Sequence, residues 1–188
     1  MTAISINFEK ETARSCGSCS LCCRLLPQKE LSKPALTRCQ HQRHSEKGCC
    51  RIYARRPPSC MMWSCRWLTD ADTADLSRPD RSHVVIDQMP DVIGIMDNET
   101  GERHDMEAIQ VWVDPAYPDA WKHPSLLAYF NRKAEERQIA VLIRYGSSAG
   151  LVAFPPNTTG RPNWEEHQSN QEWQETSAEE KLQRLAAI

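Results

Sequence analysis

Nine cysteines carry most of the chemistry open to this 188-residue chain, and all nine lie between Cys16 and Cys65. Sulfur at that density is a set of soft, anionic ligands. The first run reads Cys16-Gly-Ser-Cys19-Ser-Leu-Cys22-Cys23; Cys39 follows, then Cys49-Cys50-Arg-Ile-Tyr53, then Arg56-Pro57-Pro-Ser-Cys60, and last Cys65. A C-x-x-C turn brings two sulfurs within reach of one tetrahedral ion, at about 2.3 Å each for zinc. Adjacent cysteines such as Cys22 and Cys23 point in different directions, so they serve different metals or one of them bridges. Eight thiolates fill two closed four-cysteine zinc sites, and nine would hold a three-zinc cluster with bridging sulfurs. The trio Cys16, Cys19 and Cys22 equally matches the C-x-x-C-x-x-C run of ferredoxins, with a distant fourth ligand. Spacing alone leaves zinc and iron–sulfur both open.

Charge divides the chain where the cysteines stop. Residues 1–69 hold 12 Lys and Arg against 4 Asp and Glu, a balance of +8, and the remainder carries −10. Thiolates offset part of the basic excess once metal is bound. Arg14, Arg24, Arg38, Arg51, Arg55, Arg56 and Arg66 sit among the cysteines, where they are expected to lower thiol pKa values and donate hydrogen bonds to the anionic cluster. No recognition helix or stacking-aromatic motif accompanies them, which argues against nucleic acid as the partner. The longest aliphatic run, residues 139–143, is far too short to span a bilayer. Glu9, Lys10 and Glu11 stand where an export signal needs an apolar stretch. The expectation is a cytoplasmic chain, in whose reducing surroundings an odd, dense set of cysteines means metal rather than disulfides.

The double cysteine, followed by C-x-I-Y-x-x-R-P-x-x-C and one more cysteine, resembles the CxxCxxCC cysteine-cluster family, described as a zinc- or iron-chelating domain. The resemblance covers residues 14–70. It implies metal ligation by Cys16, Cys19, Cys22, Cys23, Cys39, Cys50, Cys60 and Cys65, and gives Cys49 no place. Flagellin lysine methylases carry a similar cluster, and an iron–sulfur centre is implied there. His41 and His44 occupy a polar stretch between Cys39 and Cys49 and read as solvated loop residues. Met61, Met62, Trp63 and Trp67 read as an apolar lid over the metal.

The elements that must hold this cluster come after it. Thr69 to Arg81 is polar and reads as a connector. Residues 83–88, 92–96, 108–113, 139–145 and 151–154 are five β-type runs, and Pro124 to Gln138 has apolar residues at helical spacing. The fold class expected is α+β: a small cysteine-rich metal-binding module (14–70) packed on a short-stranded antiparallel sheet with one main helix (80–156). A polar tail (157–188) follows, with Ser177-Ala-Glu-Glu180 as a capping box for a last short helix. No nucleotide-binding loop, H-E-x-x-H or nucleophile elbow is present. His83, Asp87, Asp91, Asp97, His104, Asp105 and Asp114 are scattered at strand ends, and an active site among them is a minority reading.

Three functions follow as expectations. One is zinc chelation at two sites of four cysteines each; the second is an iron–sulfur protein, redox-active or serving methyl transfer. The third is an interaction adaptor whose oppositely charged halves neutralise one another internally or dock on a protein partner. Cys19→Ser or Cys60→Ser should lose metal and unfold the cysteine module, whereas Cys49→Ser should leave metal content and melting unchanged. If Cys49→Ser strips metal as thoroughly as Cys60→Ser, a nine-thiolate cluster replaces the eight-ligand reading.

Overall fold

Alternating apolar residues in the second half of the chain build a sheet that is covered on both faces at its centre. The computed structural model describes residues 14–43, 50–87, 91–96, 100–145, 150–156 and 163–169. The sheet strands are β1 (Val84–Ile86), β2 (Asp91–Met96), β3 (Arg103–Val113), β4 (Ala140–Arg144), β5 (Gly150–Phe154) and β6 (Glu165–Ser169). β3 is the hub. Its C-terminal end pairs antiparallel with β1 (Val84 opposite Val113) and its N-terminal half with β2 (Asp91 opposite Ala108). Its other edge pairs parallel with β4, from Ala108 opposite Ala140. β5 and β6 complete the sheet as antiparallel neighbours.

The parallel pair requires a crossover, and the main helix α5 (Pro124–Arg137) supplies it. Pro124 sits in its first turn, where a missing N–H costs nothing, and Gln138 closes it with a left-handed φ of 53°. α5 lays Leu126, Tyr129 and Phe130 on the sheet face that presents Val84, Ile86, Val111 and Val113. The intervening residues, Val85 and Trp112, point to the opposite face and pack on Leu21, Leu25, Cys19 and Cys65 of the cysteine segment. Two covers explain why β1 and the last six residues of β3 are buried on both sides.

The sequence expectations of a sheet, one main helix and a cysteine segment lying against the sheet agree with this architecture at that coarse level. Three details differ. The sheet has six strands and one parallel pair, because β6 (Glu-Glu-His-Gln-Ser) is a polar edge strand with no hydrophobic alternation to announce it. β3 begins at Arg103, since its polar first half is held by β2 rather than by a core. The expected last short helix of the C-terminal tail lies outside the described residues.

The polar stretch read as a connector is also structured. α3 (Arg66–Thr69) leads into a single turn at Ala71–Thr73, and α4 (Pro79–Ser82) delivers the chain to β1. Asp70 is 2% exposed and Thr73 fully buried. The Tyr129 hydroxyl donates to Asp70 Oδ2 at 2.9 Å and the Asp72 N–H to Oδ1 at 2.9 Å, with Arg66 at 3.3 Å and Lys133 at 3.6 Å. Arg14 reaches in to donate to Thr73 Oγ1 and the Trp67 carbonyl. Hydrogen-bonded charge joins the cysteine segment to α5 here, beside the packing of Trp67 on the same core.

By contrast, no described residue from Pro34 to Ser64 is buried. That stretch carries Cys39, Cys50 and Cys60, and only the partly buried Ala35, Leu36 and Trp63 among its described residues pack on the core beneath the sheet.

Burial opposes ionisation of Asp70, but the Asp72 N–H, the Tyr129 hydroxyl and the Lys133 and Arg66 charges outweigh it, and the carboxyl lies below its ordinary range. The unfolded chain therefore takes up this proton at a higher pH than the folded one. The stabilisation is complete above about pH 4 and is lost as pH falls through the folded value. Asp70→Asn should cost about 3 kcal/mol at pH 7 and less at pH 3, as read from urea melts. An equal loss at both pH values would show that ionisation of Asp70 contributes nothing.

Candidate metal centre

The local fold brings the cysteines together step by step. In the Cys16–Cys19 turn the Cys19 N–H donates to the Cys16 carbonyl at 2.8 Å, and Gly17 takes a φ of 52° that a side chain would strain. The single-turn helix α1 (Cys22–Leu25) then presents Cys22 and Cys23 in succession, anchored by fully buried Leu25. The Cys39 N–H donates to the Cys23 carbonyl at 3.0 Å, which seats Cys39 beside Cys23. A bridge between Gln42 and Cys50, with the Gln42 N–H on the Cys39 carbonyl, returns Cys50 to the same place. α2 (Pro58–Met62) carries Cys60, and Cys65 leads into α3 while bridging Asp87 at the end of β1.

The outcome is a cavity of about 430 Å³ lined by all eight cysteines of the resemblance. His41 lines it too; Cys49 and His44 fall outside the described residues. Among the described residues no three His, Cys, Asp or Glu side chains converge closely enough to grip one ion. The sulfurs therefore rim a space instead of meeting at points.

Their electrostatic neighbourhoods separate them into two sets. Cys65 feels the thiols of Cys16 and Cys19, and Cys22 those of Cys65 and Cys16. Cys60 feels Cys23 and Cys39 instead. Cys16, Cys19, Cys22 and Cys65 are thus neighbours on one side, and Cys23, Cys39 and Cys60 on the other. The adjacent pair divides between them, as the opposite directions of neighbouring side chains require, and a hydrogen bond from the Cys22 thiol to Cys23 joins the two sets.

Each side has its own surroundings. Cys19 and Cys65 are 8% and 7% exposed, under Val85 and Trp112 of the sheet. Burial pushes the Cys65 thiol up to about 12, with the Cys16 and Cys19 charges adding. Burial likewise raises Cys19. Cys22 is raised chiefly by its bond to Cys23, then by burial. That same bond lowers Cys23 to about 7 against desolvation, with help from Lys33 and Arg56. On the other side Gln28 Nε2 donates to Cys60 Sγ at 2.9 Å.

Several expected roles change. Arg24 pairs with buried Asp114 on the sheet, Arg14 with Thr73, Arg66 with Asp70, and Arg38 with the Arg43 carbonyl. These four fasten the segment, while Arg56 helps lower the Cys23 thiol. Lys33, which no motif singled out, is the buried cation beside Cys39, Cys23, Cys22 and Cys60, its Nζ held by the Leu26 carbonyl. Of the expected lid, Trp63 and Trp67 are partly buried against the cluster and Met61 lines the cavity, but Met62 is 81% exposed and covers nothing.

The scattered acids do not assemble into one site. Asp87 accepts from Trp63 Nε1 at 2.7 Å, Asp91 from Gln110 at 2.6 Å, and Asp105 pairs with Arg103. His83 stacks on Tyr117 with its Nδ1 3.7 Å from Asp114. Asp97 lies outside the described residues. No described helix is long and apolar enough to cross a membrane.

No family model matches the chain, and neither a curated protein nor a solved structure matches it. The site therefore rests on its own geometry.

In metal-free protein at pH 7.5, iodoacetamide should label Cys23 first and Cys65 last, as read by peptide mass spectrometry. Equal rates at the two positions would refute the contrast in their surroundings.

Proposed function

We propose that this chain is a thiolate metal-binding protein of the cysteine-cluster type, with two four-cysteine sites. One observation carries the reading: all eight cysteines of the motif, drawn from segments up to 49 residues apart, line a single cavity. A hydrophobic core alone has no need to gather eight thiols there. The donor set is all sulfur, which suits zinc or an iron–sulfur cluster and not hard cations. Cys16, Cys19, Cys22 and Cys65 would hold one group, and Cys23, Cys39, Cys50 and Cys60 the other. Zinc at such closed sites would add folding free energy to the stretch from Pro34 to Ser64, where no described residue is buried. Lys33 and Gln28 offset the charge of the second quartet.

A second reading, iron–sulfur, is favoured by the spread of the sulfurs. Thiolates on a polynuclear cluster stand farther apart than those on one tetrahedral ion, and no three donors among the described residues meet at a point.

Metal analysis of anaerobically purified protein should find about two zinc ions per chain in a colourless sample. A brown sample with visible absorption and iron in place of zinc selects the second reading. Fewer than one metal per chain, in either form, refutes both.

A further inference from the structure

We infer that a second cavity, at the end of the sheet where β1 begins and β3 ends, binds an organic phosphate monoester with an apolar body. The cavity measures about 530 Å³ and shares no lining residue with the one that holds the cysteines. It stands independently of the metal-binding reading.

The connections of the chain build it. α4 ends at His83, whose carbonyl accepts from the Asp114 N–H at 2.9 Å, so the start of β1 is tied to the end of β3. The crossover toward β4 leaves from there, through Tyr117 and the turn at Ala120–Lys122, and enters α5 at Pro124. The loop that leaves a strand for a parallel crossover is the common place for a ligand in such units. Leu76 and Leu126, both buried in the core under α5, line the cavity from its inner side.

Charge gathers in it against the local composition. The chain from residue 70 onward carries −10, yet Arg81, His83, Lys122 and His123 line this one cavity. Asp119 is the one acid among the described residues that line it. It lies 3.2 Å from Lys122, with its side chain 78% exposed. The Arg81 guanidinium makes no hydrogen bond or ion pair among the described residues. Its paired N–H donors suit two oxygens of one anion, and Lys122 adds a point charge from the other segment.

The two imidazoles are held in place. His83 takes a left-handed φ of 59°, yet its ring is stacked on Tyr117 at 3.5 Å with Nδ1 3.7 Å from buried Asp114. His123 Nδ1 lies 2.7 Å from Ser125 Oγ. Two cations and two imidazoles from separate segments exceed what one carboxylate engages; the three terminal oxygens and double charge of a phosphate monoester match them. Tyr117, half exposed, and Pro118 supply a wall on which the apolar body of the ester lies. Inorganic phosphate would leave that wall in water.

The test titrates the full chain as purified with phenyl phosphate, reading affinity by calorimetry and the histidine ring signals by NMR. The expected result is saturable binding of one molecule per chain that moves the His83 and His123 signals. It should be at least about tenfold tighter than binding of inorganic phosphate or of phenol. Arg81→Gln should weaken phenyl phosphate about tenfold and leave the melting temperature unchanged, and Lys122→Gln gives the same reading from the other segment. Binding that does not saturate, binding that leaves both ring signals in place, or equal affinity for phenyl phosphate and either of its parts overturns the inference. Unchanged affinity in both variants overturns it as well.

Discussion

Eight thiols cannot share a cavity of about 430 Å³ as anions without something to neutralise them. The rest of the cysteine segment depends on how that constraint is met. Its inner part borrows a core from the sheet through Leu21, Leu25, Val85 and Trp112. Its outer part, from Pro34 to Ser64, has no buried residue among those described, and is held by its sulfurs, by backbone and side-chain hydrogen bonds and by the partly buried Ala35, Leu36 and Trp63. Metal bound by those sulfurs would do there what apolar packing does elsewhere in the molecule.

The sheet serves this arrangement by having two different covers. α5 seals one face with Tyr129, Phe130 and Leu126, so Val85 and Trp112 on the other face are left for the cysteine segment. The joint is reinforced by polar contacts that reach across the chain: Arg24 to Asp114, Arg14 to Thr73, and the Asp70 cluster with Tyr129 and Lys133. Arg24–Asp114 and Arg66–Asp70 also join the basic first part of the chain to the acidic second part. Part of the charge asymmetry is therefore spent on internal docking.

Much of this was legible in the residues. Pro124 and the spacing of Leu126, Phe130 and Ala134 marked the helix to within a residue, and alternation in Ala108–Val113 marked the buried half of β3. The motif picked out the eight cysteines that line the cavity. What hid from the sequence was held by hydrogen bonds and not by apolar faces. β6 is an edge strand of polar residues, and the buried Asp70 and Thr73 look like any solvated connector until Tyr129 arrives from 59 residues away. Lys33 was equally hidden, since only the fold places a lysine from a Ser-Lys-Pro stretch among Cys39, Cys23, Cys22 and Cys60.

The central claim is that these sulfurs, and no other ligands, hold the metal. X-ray absorption at the metal edge of protein purified anaerobically tests it most directly. An all-sulfur first shell of four ligands, at about 2.3 Å for zinc, is the result expected. A shell dominated by nitrogen or oxygen, or a metal signal unaltered by Cys60→Ser and Cys19→Ser, would contradict the account.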